Sequence, residues 1–413
     1  MITNTLEIDG ERLWQTLEVS GEIGKFRETG LRRLALSEED KQMRDVFVGW
    51  CRDAGCSVEV DHLGNIFATR PGTDSALSAV SCGSHLDTQA NGGKYDGILG
   101  VLSGLEIIRT LNDRGIETKR PIEVIVWTNE EGARFTPPMG AAMAFVGHIP
   151  ADGVLGAKDS DGITFGEALK SIGYAGDENA ANRDYDSYFE LHIEQGPILD
   201  ETNEDVGIVT GGYHSRGMKL DIRGETAHAG PTAMDQRQNA LVGAGLVIAA
   251  VNDIGWKYHP ENGKSTATQI FCEPNLAGIV PEYCRLSVDF RHPDESGAEI
   301  MYVEVQQAIA AAAKRAQVTI EVAETWTFGD SMFDDDCIKL LKDTADQMGQ
   351  SHVDIMSQAG HDAYAMAHST PVAMIFTPCT GGVSHNTGEK IELARTLPGV
   401  NVFLNAIVAR ANQ

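Results

Sequence analysis

The order of apolar and polar positions changes character twice along the chain. Over Lys41–Ala54 apolar residues recur at helical spacing. Ser57–Val60 and Asn65–Arg70 read as short strands, and Ala79–Ser84, an apolar run closed by Gly and Ser, reads as a buried one. Ile98–Asn112 is predicted helical, with Gly93 and Gly97 in the turn before it. Ile122–Thr128 is an almost unbroken β-branched run, the mark of a strand covered on both faces. Strand, helix and strand in succession predict βαβ units and a mostly parallel sheet.

The texture shifts near Gly211. Met218–Arg223 reads as a strand, Gln238–Asp253 as a helix, Ser265–Phe271 and Arg285–His292 as strands, Gly297–Ala316 as a helix and Val318–Ala323 as a strand. That order, βαββαβ, is the pattern of a ferredoxin-like module. After about residue 327 the first texture returns, with a helix at Asp336–Met348, a strand at Val372–Phe376 and a closing helix at Leu397–Ala411. The expected fold class is therefore α/β: a mostly parallel-sheet domain over residues 1–212 and 327–413, with a ferredoxin-like module inserted at 213–326.

Composition narrows the partners. The 413 residues are 42% hydrophobic, enough for two cores. Lys and Arg number 33 against 60 Asp and Glu, a net charge of −27. A field of that sign repels phosphate backbones and anionic lipid surfaces, so neither nucleic acid nor a membrane is expected as a partner. The N-terminus lacks the basic-then-apolar order of a signal peptide. The longest apolar stretch, near Leu241–Val251, reads as too short to span a bilayer. Seven scattered cysteines form no CxxC motif, which fits reduced thiols in a cytoplasmic protein.

Several segments carry chemistry. In GSHLDT, residues 83–88, His85 follows a buried strand and Asp87 stands two residues on, placed to orient it. In GGKYDGILG, residues 92–100, Asp96 precedes a helix and is open to an N-cap role as well as a ligand role. WTNEEGARF, residues 127–135, ends a buried strand in two adjacent carboxylates, Glu130 and Glu131. Two anions there repel each other unless a cation or proton intervenes; one can ligate a metal while the other acts as general base. His192 in ELHIEQG and His385 in GGVSHNTGE each sit in polar, Gly-containing surroundings, and Gln195 lies three residues after His192. Singly each histidine is more often structural than ligating. Together, carboxylates and imidazoles without thiolates suit zinc, manganese, cobalt or nickel, and a carboxylate bridging two ions is the usual two-metal hydrolase arrangement.

As a set, HLDT, the Gly-Gly-x-x-Asp-Gly run, the Glu-Glu pair, HIEQG and SHN resemble the hydantoinase/carbamoylase family of metal-dependent amidohydrolases, over nearly the whole chain. The resemblance implies a catalytic domain with an inserted dimerisation lid, a homodimer, and two divalent metal ions per subunit. It implies that Asp96 bridges the ions and that His85, Glu131, His192 and His385 complete the two sites, in a pairing the sequence leaves unordered. Glu130 would be the general base and Asp87 the support of a ligand histidine. AHAGPTAMDQR, residues 227–237, would bring His228 to the developing oxyanion. Asn275 and Arg291 would hold a substrate carboxylate, and Gln195, Gly360 and His361 would line the substrate pocket. The implied reaction is hydrolysis of N-carbamoyl amino acids, the L-amino acid or β-alanine type. Allantoate is the alternative substrate, weakened because Arg216 is followed by Gly217 rather than a second basic residue. A non-catalytic binding protein on the same fold is the reading from another class. It gives no reason to keep Glu130 beside five intact ligands.

Overall fold

The computed structural model describes residues 5–329 and 332–413. Strands of four or more residues are, in chain order, β1 (Ser57–Val60), β2 (Ile66–Arg70), β3 (Ala79–His85), β4 (Ile122–Trp127), β5 (Tyr185–Ile193), β6 (Val206–Gly212), β7 (His214–Arg223), β8 (Lys264–Glu273), β9 (Tyr283–His292), β10 (Thr319–Phe328), β11 (His352–Ser357) and β12 (Val372–Thr377). The chain forms two compact units, Met1–Thr210 with Met332–Gln413, and Gly211–Ser331.

The larger unit is built on an eight-stranded sheet of order β11-β6-β12-β5-β3-β4-β2-β1. Its centre is parallel: β12 pairs with β5, β5 with β3, and β3 with β4. The flanks turn antiparallel, through β12 with β6 on one side and β4 with β2, then β2 with β1, on the other. Every residue of β4 and β12 is buried, as their near-continuous apolar runs require. Helices Glu38–Asp53, Ile98–Asp113 and Leu393–Ala411 bury apolar faces in the same core.

The smaller unit is a four-stranded antiparallel sheet of order β8-β9-β7-β10 with helices Ala240–Tyr258 and Glu295–Ala316 packed on it. The βαββαβ order with this strand arrangement is the ferredoxin-like pattern. The apolar helix here is longer than the sequence reading allows. With its 3-10 extension it runs 22 residues, Ala240–Glu261, long and apolar enough to cross a bilayer by length and composition. In the structure Ala244, Val247, Val251, Ile254 and Tyr258, three or four residues apart, face the core of this unit instead.

Candidate functional site

The central strands β3, β4, β5 and β12 are parallel, so their carboxyl ends lie along one edge of the sheet, where open α/β folds collect ligands. β3 ends at His85 and β4 leads into Glu130 and Glu131. His192 lies inside β5, and His385 lies in the turn beyond β12. Asp96 does not take the N-cap role open to it. Gly97 occupies the cap at φ 68° with no side-chain bond, and a Cβ there would stand 2.3 Å from the His85 ring. The Asp96 carboxylate is thereby left for the site.

Asp96 turns one oxygen to each of two groups. Its Oδ1 lies 3.7 Å from His85 Nε2 and 3.2 Å from His192 Nε2. Its Oδ2 lies 3.3 Å from His385 Nε2, which is itself 3.2 Å from Glu131 Oε2. His85 with Asp96 and His192, and Asp96 with Glu131 and His385, each place three donor atoms within 4.8 Å of one another, close enough to hold a metal ion. Glu190 with His192 and His361 forms a third such group, which shares His192 with the first. His85 Nδ1 is 2.9 Å from the Asp87 carbonyl and His192 Nδ1 is 2.9 Å from the Ile193 carbonyl. Donation from Nδ1 leaves each Nε2 as the lone-pair atom turned to Asp96.

The electrostatics favour positive charge at His192 and His385, whereas at His85 burial outweighs the facing Glu131 and Asp96 and lowers the pKa. Burial lowers the His192 pKa, but the facing Asp96 outweighs it and holds the ring up at about 9. His385 is half exposed, its partial burial likewise outweighed by Asp96 and Glu131, which raise it to about 11. A proton or a metal cation satisfies the same field. This donor set, nitrogen and oxygen only, fits the hard to borderline divalent ions.

Glu130 lies beside His85, Oε2 to Nε2 3.6 Å, with its side chain 9% exposed. Burial first, then the charges of Asp362 and Glu131, push its carboxyl well above the usual range. The position of Glu130 is fixed from behind. The N–H groups of Glu130 and Glu131 donate to Asp87 Oδ1 and Oδ2, each at 3.3 Å. In this structure Asp87 faces His85 through its main-chain carbonyl, while its carboxylate accepts the two glutamate amides. Asn129, just before the pair, adopts φ 60° and ties its amide to the Phe135 carbonyl at 2.8 Å, and His385 adopts φ 53°. Such left-handed residues gather at sites that the surroundings over-determine.

Gln195, at φ 58°, donates its amide to Asp96 Oδ2 at 3.0 Å and to Ser384 Oγ at 3.1 Å. In this structure it therefore supports the central carboxylate. His361 is 2% exposed, with its ring centroid 4.5 Å from that of His192 and its Nε2 3.0 Å from Ser357 Oγ. Burial, then His192, holds it well below the usual histidine range. Gly360 precedes it in the bend after β11. Three buried acids were not singled out from the sequence. Glu190 accepts from Ser84 Oγ (2.8 Å), Ala363 N (2.9 Å) and Tyr188 OH (3.2 Å). Asp362 is fully buried with neither oxygen hydrogen-bonded, and burial followed by Glu190 raises its carboxyl. Glu389 is held up at about 8 by burial and by Asp96.

His228, Asn275 and Arg291 lie in the smaller unit. His228 is exposed, and the Gly230 N–H donates to its Nδ1 at 3.0 Å, which leaves Nε2 as the proton-bearing nitrogen of the neutral ring. Asn275 is exposed in the turn after β8. Arg291, in β9, donates Nε to Asp289 Oδ1 at 2.7 Å, and its guanidinium lies 5.0 Å from the centre of the Phe328 ring.

The model of the peptidase family M20/M25/M40 matches residues 82–409. An N-carbamoyl-L-amino-acid amidohydrolase of Rhizobium meliloti is 39% identical over 407 residues, covering 98% of this chain and 97% of that protein. An allantoate deiminase of Arabidopsis thaliana is 30% identical, covering 90% of this chain and 77% of that one. Among solved structures, an amidase of the hydantoinase/carbamoylase family from Burkholderia vietnamiensis superposes with a TM-score of 0.93 at 43% identity, over 98% of each chain.

Proposed function

The chain belongs to the peptidase family M20/M25/M40 and is a hydrolase of amide bonds, and on that premise we propose that it hydrolyses N-carbamoyl-L-amino acids to the free amino acid, ammonia and carbon dioxide. The observation that carries this reading is Asp96, with one oxygen turned to His85 and His192, the other to the group that holds Glu131 and His385, and Glu130 alongside. Asp96, His85, His192, Glu131 and His385 would hold two divalent ions, zinc, manganese, cobalt or nickel. When bound, the ions supply Lewis acidity for the carbonyl and a lowered pKa for attacking water.

The protein's own groups perform the rest. Glu130, its basicity raised by burial, accepts a proton from the water that adds to the carbamoyl carbon. His228 offers its Nε2–H to the oxygen that becomes anionic. The bond from carbon to the terminal nitrogen breaks, and Glu130 returns the proton so that ammonia leaves. The remaining carbamate loses carbon dioxide and frees the amino group. Arg291 and Asn275 hold the substrate carboxylate, for which a guanidinium fork is suited, and Gln195, Gly360 and His361 border the substrate.

The reading includes a cytoplasmic homodimer. Its seven cysteines are free. β8 is an edge strand, and Ile270 and Phe271 on it are exposed, as are Leu241 and Val242 on the helix beside it, an apolar surface that a second copy would cover.

Ammonia release is the test. Metal-loaded protein, with a chelator-treated control, is assayed on N-carbamoyl-L- and D-amino acids, N-carbamoyl-β-alanine and allantoate. Metal-dependent turnover confined to the L-carbamoyl set supports the proposal. Turnover of allantoate alone, in keeping with the relative of that name, overturns the substrate while keeping the chemistry. No turnover of any of them by metal-loaded protein sinks the reading.

A further inference from the structure

We infer that Glu389 is a positioning residue that sets the orientation of Asp96 and, through it, the occupancy of both metal positions; the inference rests on the metal-site reading above. Glu389 is 5% exposed, and its carboxylate is satisfied by the loop it faces. Oε1 accepts the N–H of Tyr95 at 2.8 Å and that of Asp96 at 3.1 Å, so one oxygen grips the two successive peptides that meet at Tyr95. Oε2 meets Ser384 Oγ at 3.2 Å, and the same hydroxyl stands 3.1 Å from Asp96 Oδ2. Glu389 therefore fixes the main chain of Asp96 directly and reaches its side chain through Ser384. The neighbouring chain is shaped around this carboxyl: a Cβ added at Gly93 would lie 2.0 Å from Glu389 Cδ.

The consequence follows from the sharing of Asp96. A carboxylate that serves two groups has to hold both oxygens in place at once, and a rotation that suits one group spoils the other. Residues that orient ligands in this way typically change metal affinity by ten- to a hundredfold when removed. Ser384 and His385 are sequence neighbours, so the contact also ties the His385 turn to the Asp96 turn.

The test compares full-length protein with Glu389→Ala, Glu389→Gln and Glu389→Asp. Each is stripped with chelator and titrated with zinc by equilibrium dialysis, and each is loaded with cobalt for its visible absorption spectrum. Glutamine can accept both N–H groups on its oxygen and donate to Ser384 from its nitrogen, whereas aspartate is one methylene short. Glu389→Ala and Glu389→Asp are expected to bind zinc about ten- to a hundredfold more weakly, with an altered cobalt spectrum. Glu389→Gln is expected to keep the affinity within a few-fold and the spectrum unchanged. Should Glu389→Ala fail to fold, Glu389→Asp and Glu389→Gln decide the matter. Two zinc ions bound with wild-type affinity by a folded Glu389→Asp or Glu389→Ala overturn the inference and leave the metal-site reading intact. Wild-type protein that binds no zinc overturns both.

Discussion

Arg33 is wholly buried, and its Nε donates to the main-chain carbonyl of Leu86 at 2.8 Å. The rest of the guanidinium reaches the Ser20 and Ile23 carbonyls at 3.1 and 2.9 Å, so one side chain ties the N-terminal segment to the turn between His85 and Asp87. Burial lowers the pKa of this group to about 10, which still leaves it charged at neutral pH. Arg33→Met would strand these acceptors in a dry interior. A loss of about 3 kcal/mol is expected in urea unfolding. A variant within 0.5 kcal/mol of wild type, about the range of surface substitutions, would show that the clamp contributes little.

Glu130→Gln should separate binding from turnover. Glutamine matches glutamate in size but cannot take a proton from water. Zinc content by atomic absorption is expected to match wild type, while kcat falls by at least about a hundredfold. A nearly normal kcat removes Glu130 from the role of base.

Gly97 sits at φ 68° with the His85 ring filling the space where a side chain would go. Gly97→Ala combines a disfavoured backbone with a clash against a ligand. Destabilisation of about 1–3 kcal/mol is expected, with weaker zinc binding in the folded fraction. Calorimetry and zinc dialysis check the two parts separately, and unchanged values in both would contradict the close approach.

The smaller unit carries a pH-dependent pair. Arg285 Nε donates to Asp221 Oδ1 at 2.8 Å and Tyr283 OH donates to the same oxygen at 2.7 Å. The hydrogen bond from Arg285, then that from Tyr283, lowers the Asp221 pKa. A carboxylate with a depressed folded-state pKa stabilises the fold above its unfolded pKa of about 3.9 and loses that contribution as pH falls through the folded value. Asp221→Asn is therefore expected to lower stability at pH 7 by about 1 kcal/mol or less for a rim pair, seen as a lower Tm, and the difference should close in acid below about pH 4. A gap that stays constant from pH 7 to pH 3 would assign the loss to something other than charge.

Ions that bind only the folded site stabilise it by mass action. Zinc at a hundred times its Kd is expected to add about 2.7 kcal/mol over chelated protein. A Tm indifferent to chelator in differential scanning fluorimetry would speak against a resident ion.

The parts of the site legible in the sequence are those with a one-dimensional signal. Buried runs ending in GSH and WTNEE marked the carboxyl ends of β3 and β4, because a strand covered on both faces is apolar throughout. Glu190 was missed although a signal existed. It lies two residues from His192 in a fully buried part of β5, so the period of two places both on one face. Glu389 had no such signal, since its partners Tyr95 and Asp96 are main-chain groups almost 300 residues away, at a separation of 294 and 293. The antiparallel flanks escaped for another reason: β1 alternates between exposed and half-buried positions and says nothing of its neighbour's direction. The division of ligands between two groups depends on which oxygen of Asp96 each faces, and no pattern of residues encodes that.

The placement of β12 between β5 and β6 has a consequence for how the protein is made. A ribosome releases Tyr185–Ile193 and Val206–Gly212 long before Val372–Thr377 exists, and the whole smaller unit is synthesised in between. Through that interval β5 has one apolar edge unpaired, and both sheet neighbours of β6, β12 and β11, are still to be made. Such edges pair readily with other chains. The smaller unit, continuous in sequence, is free to fold during the wait. The larger one closes only when its last strand slides into the gap, so early termination after the smaller unit would yield a sticky fragment rather than a shortened hydrolase.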